Sequence, residues 1–213
     1  MLVGEYLSEV IARQLAHELH PILTVKEVTS NTDLLGTYAE AAIRRLCRRV
    51  VHPLRVSTGA IIDFPPPKTL RQMDLILWAP FPSPSIFEID EFGLVPRSSA
   101  FGAAEVKRSN YSGVDAKLEE FLREAPALIA TLQAREVGPR YIGVIGVIEQ
   151  TPSERLQKLL DDGSVVALFD KTGPEVVLRA KDVLRFINFL HRVARCYQRE
   201  VTSGPLLELR TDF

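Results

Sequence analysis

Three charged side chains stand where folding alone gives little reason for them. Residues 70–107 read Leu-Arg-Gln-Met-Asp74-Leu-Ile-Leu-Trp, then a proline-rich connection, then Phe-Gly-Ala-Ala-Glu105-Val-Lys107. Asp74, Glu105 and Lys107 each sit at the end of, or just inside, an apolar run of β type. An unpaired carboxylate buried in such a place costs several kcal/mol. A hard divalent cation supplies a reason for the placement, because oxygen atoms are the ligands such ions take. Glu105 and Lys107 are two apart, so on a strand they project to one face while Val106 points into the opposite layer. The spacing therefore predicts two carboxylates and one ammonium converging on a small patch. Carboxylates of Asp74 and Glu105 within roughly 6 Å of each other would suffice to share one octahedral cation. The plainer alternative is a set of strand-end charges that face water or pair with one another.

The elements that must position these groups follow from periodicity and from the breakers. Residues 2–20 place Tyr6, Leu7, Val10, Ile11, Leu15 and Leu19 at helical spacing, and Pro21 should end that run. A second helix is expected from after Asn31 to about Val51, with Leu35, Ala39, Ala42, Leu46 and Val50 as its apolar stripe. Arg44, Arg45, Arg48 and Arg49 fall off that stripe and predict a basic surface, which is either a solvated face or a phosphate track. Residues 54–63 and 70–78 read as strands joined by Phe-Pro-Pro-Pro-Lys. Pro80, Pro82, Pro84 and Pro96 then argue against regular structure over most of 79–97. A third strand, 101–107, leads through Ser-Asn-Tyr-Ser-Gly into a helix near 114–133 that Pro126 should kink or split. Residues 141–148 are apolar on both faces, the mark of a central strand covered on each side. A short helix at 153–160, a strand at 165–169 and a last helix at 179–199 complete the chain. The order α-α-β-β-β-α-β-α-β-α predicts an α/β protein, a three-layer α/β/α sandwich around a mixed sheet.

The bulk numbers remove several classes. With 213 residues, 46% hydrophobic and 25% charged, the chain can bury one sizeable core, so residues 1–213 are expected to form a single domain. A net charge of −1 means that any nucleic-acid contact must use a local basic face. Two cysteines, Cys47 and Cys196, offer neither zinc spacing nor a disulfide framework, which points to the reducing cytoplasm. No signal-peptide pattern opens the sequence, and no apolar run approaches the ~18 residues of a membrane span, so no membrane partner is expected. In His17-Glu18-Leu19-His20 the histidines are three apart, whereas the metalloprotease helix needs them four apart. Gly143 and Gly146 lie inside a strand and make no phosphate loop. Cys47 shares a helical stripe with Gly36, Glu40 and Ile43, and reads as core packing.

The order of these features is distinctive. A helix carrying Gly36-x-x-x-Glu40, a strand pair with Asp74 on its second member, Glu105-x-Lys107 on the third strand and a helix after it resemble the PD-(D/E)XK nuclease superfamily. The resemblance is strongest to small bacterial members with a Gln-x-Asp strand followed by Glu-Val-Lys. It covers roughly residues 28–150 and implies the restriction-endonuclease-like core, αβββαβ. The helix at 2–20 and the α/β extension at 151–213 lie outside it. Met73 stands where the proline of the family name would be. There is no Gln-x-x-x-Tyr after Lys107 and no cysteine cluster for an iron–sulfur site.

The resemblance implies a metal-dependent nuclease, a hydrolase of phosphodiester bonds and more specifically a DNA endonuclease, with a role in defence or DNA repair. Asp74, Glu105 and the Val106 carbonyl would hold Mg²⁺ or Mn²⁺. Lys107 would position the attacking water or stabilise charge on the transferring phosphorus. Glu40 would reach a second cation or a water upon it, although a glutamate early in a helix also suits the helix dipole. Gly36 would let helix and sheet approach closely. Gln72, Arg44, Arg45, Arg48 and Arg108 would contact nucleic acid, DNA rather than RNA. A homodimer would suit cleavage of both strands. The alternative is a restriction-endonuclease-like module that has lost turnover and serves nucleic-acid binding or assembly.

Overall fold

The computed structural model describes residues 10, 13, 17, 19–62, 71–80, 84–129, 139–172 and 175–203, so most of the helix expected at 2–20 lies outside the described residues. Pro21 begins a helix instead of only ending one: α1 spans Pro21–Val28 with the proline in its first turn, where its missing N–H costs nothing. The next helix, α2 (Thr32–Val50), starts because the Asn31 side chain accepts the N–H groups of Asp33 and Leu34, at 3.0 and 3.3 Å. Its buried side holds Leu35, Ala39, Ile43, Leu46 and Cys47, and also Arg44.

Eight strands form one mixed sheet. They are β1 (Arg55–Ile62), β2 (Gln72–Trp78), β3 (Phe87–Ile89), β4 (Phe92–Pro96), β5 (Ala100–Ser109), β6 (Tyr141–Ile148), β7 (Val165–Asp170) and β8 (Val177–Leu178), in the spatial order β3-β4-β1-β2-β5-β6-β7-β8. Neighbours β1, β2 and β5 run antiparallel, while β5, β6 and β7 run parallel. Parallel neighbours need crossovers. Two helices supply them, α3 (Val114–Leu128) and α4 (Glu154–Asp162), and α5 (Ala180–Ser203) closes the chain. On one face Leu75, Leu77, Ala104, Val106 and Val144 pack with residues of α1, α2 and α5. On the other, Ile76, Trp78 and Ala103 meet Phe121 of α3, and Ile145 meets Leu118 and Leu156. The result is the three-layer sandwich, and the strands after Gln150 continue the same sheet.

Two local expectations are corrected. Residues 79–97 are not mostly irregular, since β3 and β4 form a hairpin there. Residues 85–95 contain no proline, Pro96 falls at the strand end, and Asp90 makes the turn with a left-handed φ of 51°. The hairpin docks alongside β1 through parallel pairing of β4, where a bulge leaves Gly59 at φ 134°. A Cβ at Gly59 would overlap the Gly93 carbonyl, so the crossing demands glycine. Pro126 does not split α3. It sits in the last turn, and the helix stops at Leu128 with the Ile129 N–H donating to Ala125 O at 3.1 Å. Among the described residues no helix is long and apolar enough to cross a membrane.

Candidate active site

The ladder between β2 and β5 runs as far as the pair Leu75 and Ala104. Beyond it a side chain replaces a backbone carbonyl, because Asp74 Oδ2 accepts the Val106 N–H at 2.8 Å. Lys107 enters the opening so formed. Its Nζ donates to Glu105 Oε1 at 2.7 Å and to the Val106 carbonyl at 3.1 Å, and it pairs with Asp74 Oδ2 at 3.4 Å. Because one nitrogen touches both carboxylates, Asp74 Oδ2 and Glu105 Oε1 lie no more than about 6 Å apart; sharing one octahedral magnesium would require them within about 4.2 Å, twice its bond length. The three side chains are mostly buried, and Glu105 is only 9% exposed.

Electrostatics follow from two acids sharing one base. Burial, and then the charge of Asp74, push the Glu105 carboxyl above the ordinary glutamate value against the opposing bond from Lys107. Burial works against the Lys107 ammonium, but the charge of Asp74 and the bond to Glu105 outweigh it and raise its pKa. Formally the cluster sets two carboxylates against one ammonium.

Glu40 approaches from α2. Burial and then the nearby Asp74 raise its carboxyl above the usual range, with Arg44 opposing. Arg44 does not belong to an exposed basic face. It is 5% exposed and its guanidinium makes three bonds, with Nη1 donating to the Asp74 carbonyl at 3.1 Å and to Glu40 Oε2 at 3.4 Å, and Nε donating to Glu91 Oε2 at 3.0 Å. Arg48, half-exposed, reaches the other Glu91 oxygen at 2.7 Å. Those two bonds overcome burial and hold the Glu91 carboxyl below its ordinary value. Arg45 is exposed and borders, with Arg49, His17 and Tyr38, a hollow of about 360 Å³ on the outer side of α2.

The remaining candidates divide. Arg108 lies beside the site but forks onto Glu149, with contacts of 2.9 and 3.3 Å. Gln72 is exposed at the start of β2, two residues from Asp74. Gly36 does not mediate a close helix–sheet approach, since a Cβ there would meet nothing within 4 Å. It opens instead onto a cleft of about 800 Å³ that runs between Thr32, Thr37 and Glu40 of α2 and Lys107 and Ser109 of β5. Cys47 is packed in the core, where burial drives its thiol pKa up.

Three contributors were not anticipated from sequence. Glu91 and Glu149 are the acids that claim Arg44 and Arg108. Asn110 clamps the ends of β5 and β6, its Oδ1 accepting the N–H groups of Glu149 and Gln150 at 2.7 and 3.2 Å while Gln150 Nε2 returns a bond to Asn110 O at 2.9 Å. A signal for Asn110 existed in its place at the head of a turn, where asparagine side chains bond to nearby backbone. Glu91 had no local signal.

Among the described residues no three His, Cys, Asp or Glu side chains are grouped tightly enough to hold a metal by themselves. The donor set is two carboxylates and a backbone carbonyl. Hard oxygens of this kind fit Mg²⁺ or Mn²⁺ and do not fit a closed zinc site.

Solved structures share this architecture. NucC of E. coli MS115-1 in its cAAA-bound form matches with a TM-score of 0.61 at 15% identity, over 87% of this chain and 90% of that one. NucC of P. aeruginosa ATCC27853, also cAAA-bound, gives 0.60 at 14% identity over the same shares. The apo form of the E. coli protein gives 0.54 at 13% identity, over 93% of this chain and 92% of that one. The fold is restriction-endonuclease-like. At these identities the likeness is one of fold. No protein-family model matches the sequence, and no curated protein does. In this fold α2, β1, β2, β5, α3 and β6 make up the αβββαβ core, and the β3–β4 hairpin is inserted between its second and third strands.

Proposed function

We propose that this chain is a divalent-cation-dependent nuclease that hydrolyses phosphodiester bonds in DNA. The observation that carries it is the convergence of Asp74 Oδ2, Glu105 Oε1 and the Val106 carbonyl on a single cationic nitrogen at the mouth of the ladder between β2 and β5. A magnesium or manganese ion held by those oxygens would polarise a scissile phosphate and make a water acidic enough to attack. Lys107 stabilises the charge that grows on the phosphoryl oxygens. Glu40, kept proton-prone by burial, orients the attacking water from the α2 side, and Arg44 holds Glu40 in place. The cleft receives the strand, and Arg45, Arg48 and Gln72, which lie outside its lining, meet flanking backbone phosphates.

The fold shared with NucC supports this reading; cAAA belongs to those proteins, and no residue here is assigned to it. The proposal includes a single-domain protein acting in the cytoplasm, in defence or repair, as a homodimer where both strands are cut. The rival reading, an inactive binding or assembly module, sits poorly with a chain that retains Asp74, Glu105 and Lys107 together.

The test is incubation of the pure protein with plasmid, linear duplex and single-stranded DNA, and with RNA, in Mg²⁺, Mn²⁺ or EDTA. Cleavage should require the cation and fail in Asp74→Ala. Equal cleavage by wild type and Asp74→Ala would overturn the proposal.

A further inference from the structure

We propose that the Lys107 ammonium is the resident occupant of the cation seat, and that a divalent ion loads by displacing it into the cleft. Resting on the nuclease reading above, this adds a role for Lys107 before any chemistry. An ammonium has three N–H donors and no acceptor. Three oxygens meet it here, Glu105 Oε1, Val106 O and Asp74 Oδ2, at 2.7, 3.1 and 3.4 Å. They are the same three oxygens that form the candidate ligand set. A magnesium ion sits about 2.0–2.1 Å from each ligand, so ion and ammonium cannot hold these oxygens together, and two cations in one seat repel.

No other base competes for the place. Among the described residues Lys107 is the one cation bonded to either carboxylate. Arg44 is spent on Glu40, Glu91 and the Asp74 carbonyl, Arg108 on Glu149, and Arg71 on Glu124. Two mostly buried acids need a counter-charge when no ion is present, and Lys107 supplies it. Lys107 also borders the 800 Å³ cleft, so the displaced side chain has room on the side where a substrate phosphate would lie. Loading of the ion thereby releases the ammonium to the place where its charge is of use.

The test is calorimetric titration of Mn²⁺ into metal-stripped protein, without substrate. Lys107→Met leaves two mostly buried acids unpaired, so it is accompanied by Lys107→Gln, which keeps a donor. Both should bind Mn²⁺ about tenfold more tightly than wild type, a gain of ~1.4 kcal/mol. Arg71→Met removes a cation that acts on Glu105 from outside the seat, and should tighten binding less than either. Asp74→Asn should lose most of the binding. Wild-type affinity in both Lys107 variants would overturn the resident role while leaving the nuclease reading intact. An Arg71→Met gain equal to theirs would also overturn it, since general charge would then explain the effect. Absence of Mn²⁺ binding in every protein would bring down the metal-dependent reading and this inference together.

Discussion

Arg44 donates through Nη1 to the backbone carbonyl of Asp74 at 3.1 Å. That bond ties the middle of α2 to the strand that presents the acid, and the same guanidinium holds Glu40 and Glu91. Removing one member of a buried charge group strands the others, typically at a cost of ~3–5 kcal/mol. The exposure of Glu91 moderates this, so Arg44→Ala should destabilise the protein by about 3 kcal/mol in urea unfolding with EDTA present. Arg45→Ala, on the open side of the same helix, should stay within about 0.5 kcal/mol of wild type. Equal small losses would mean that Arg44 is not the tie between helix and strand.

Single substitutions at the site should separate ligands from helpers. Asp74→Ala, Glu105→Ala and Lys107→Ala are expected to lower the cleavage rate at least about a hundredfold with the fold kept. Glu40→Ala should lose less, because Glu40 acts from across the cleft. A Lys107→Ala enzyme that cuts at the wild-type rate would remove Lys107 from the chemistry.

The raised carboxyl of Glu40 carries a signed consequence for stability. In the folded protein Glu40 binds its proton more tightly than in the unfolded chain. Native protein then holds more protons across the window between the ordinary glutamate value and the raised one, so stability falls as pH rises through it. Glu40→Gln keeps an oxygen for Arg44 and has no charge to bury. With EDTA present, the variant should match wild type near pH 4 and melt higher at pH 8. Parallel melting curves from pH 4 to 8 would show that the burial of Glu40 is fully compensated.

Salt dependence of DNA binding distinguishes the arginines of α2. Each phosphate contact contributes a slope of about 0.9 in a log–log plot of affinity against salt. Arg45→Ala should flatten the slope by about one such contact. Arg48→Ala should change it less, since Glu91 already holds that side chain. Fluorescence anisotropy at four salt concentrations suffices, and an unaltered slope for Arg45→Ala would return the face to plain solvation.

How far these features were legible in the sequence depends on how local their causes are. The core strands and helices show in the apolar runs, because period 2 and period 3.6 are set within a few residues. Asp74, Glu105 and Lys107 were conspicuous through a contrast of charge against apolar flanks that needs no tertiary knowledge. The β3–β4 hairpin is obscured because four prolines crowd residues 79–97, although Ser85–Val95 is free of them. Helix α1 was missed because Pro21 stops a helix or starts one by the same chemistry. The burial of Arg44 was invisible for a different reason. A helical wheel places it beside the apolar stripe, and what draws it inward is Glu91, 47 residues further along the chain.

The hairpin that carries Glu91 lies at the outer margin of the sheet, two strands removed from Asp74. Seen alone it would be an obvious target for trimming, an excursion of some twenty residues whose β3 strand has all three residues exposed. Shortening it to a tight turn would leave β1, β2 and β5 paired as before. It would also take away the acid that neutralises Arg44, and a guanidinium with spare charge would then pull on Glu40 and on the Asp74 main chain. Loop length at this edge is thus constrained from the middle of the molecule, and truncation should be tolerated only if Arg44 is replaced at the same time.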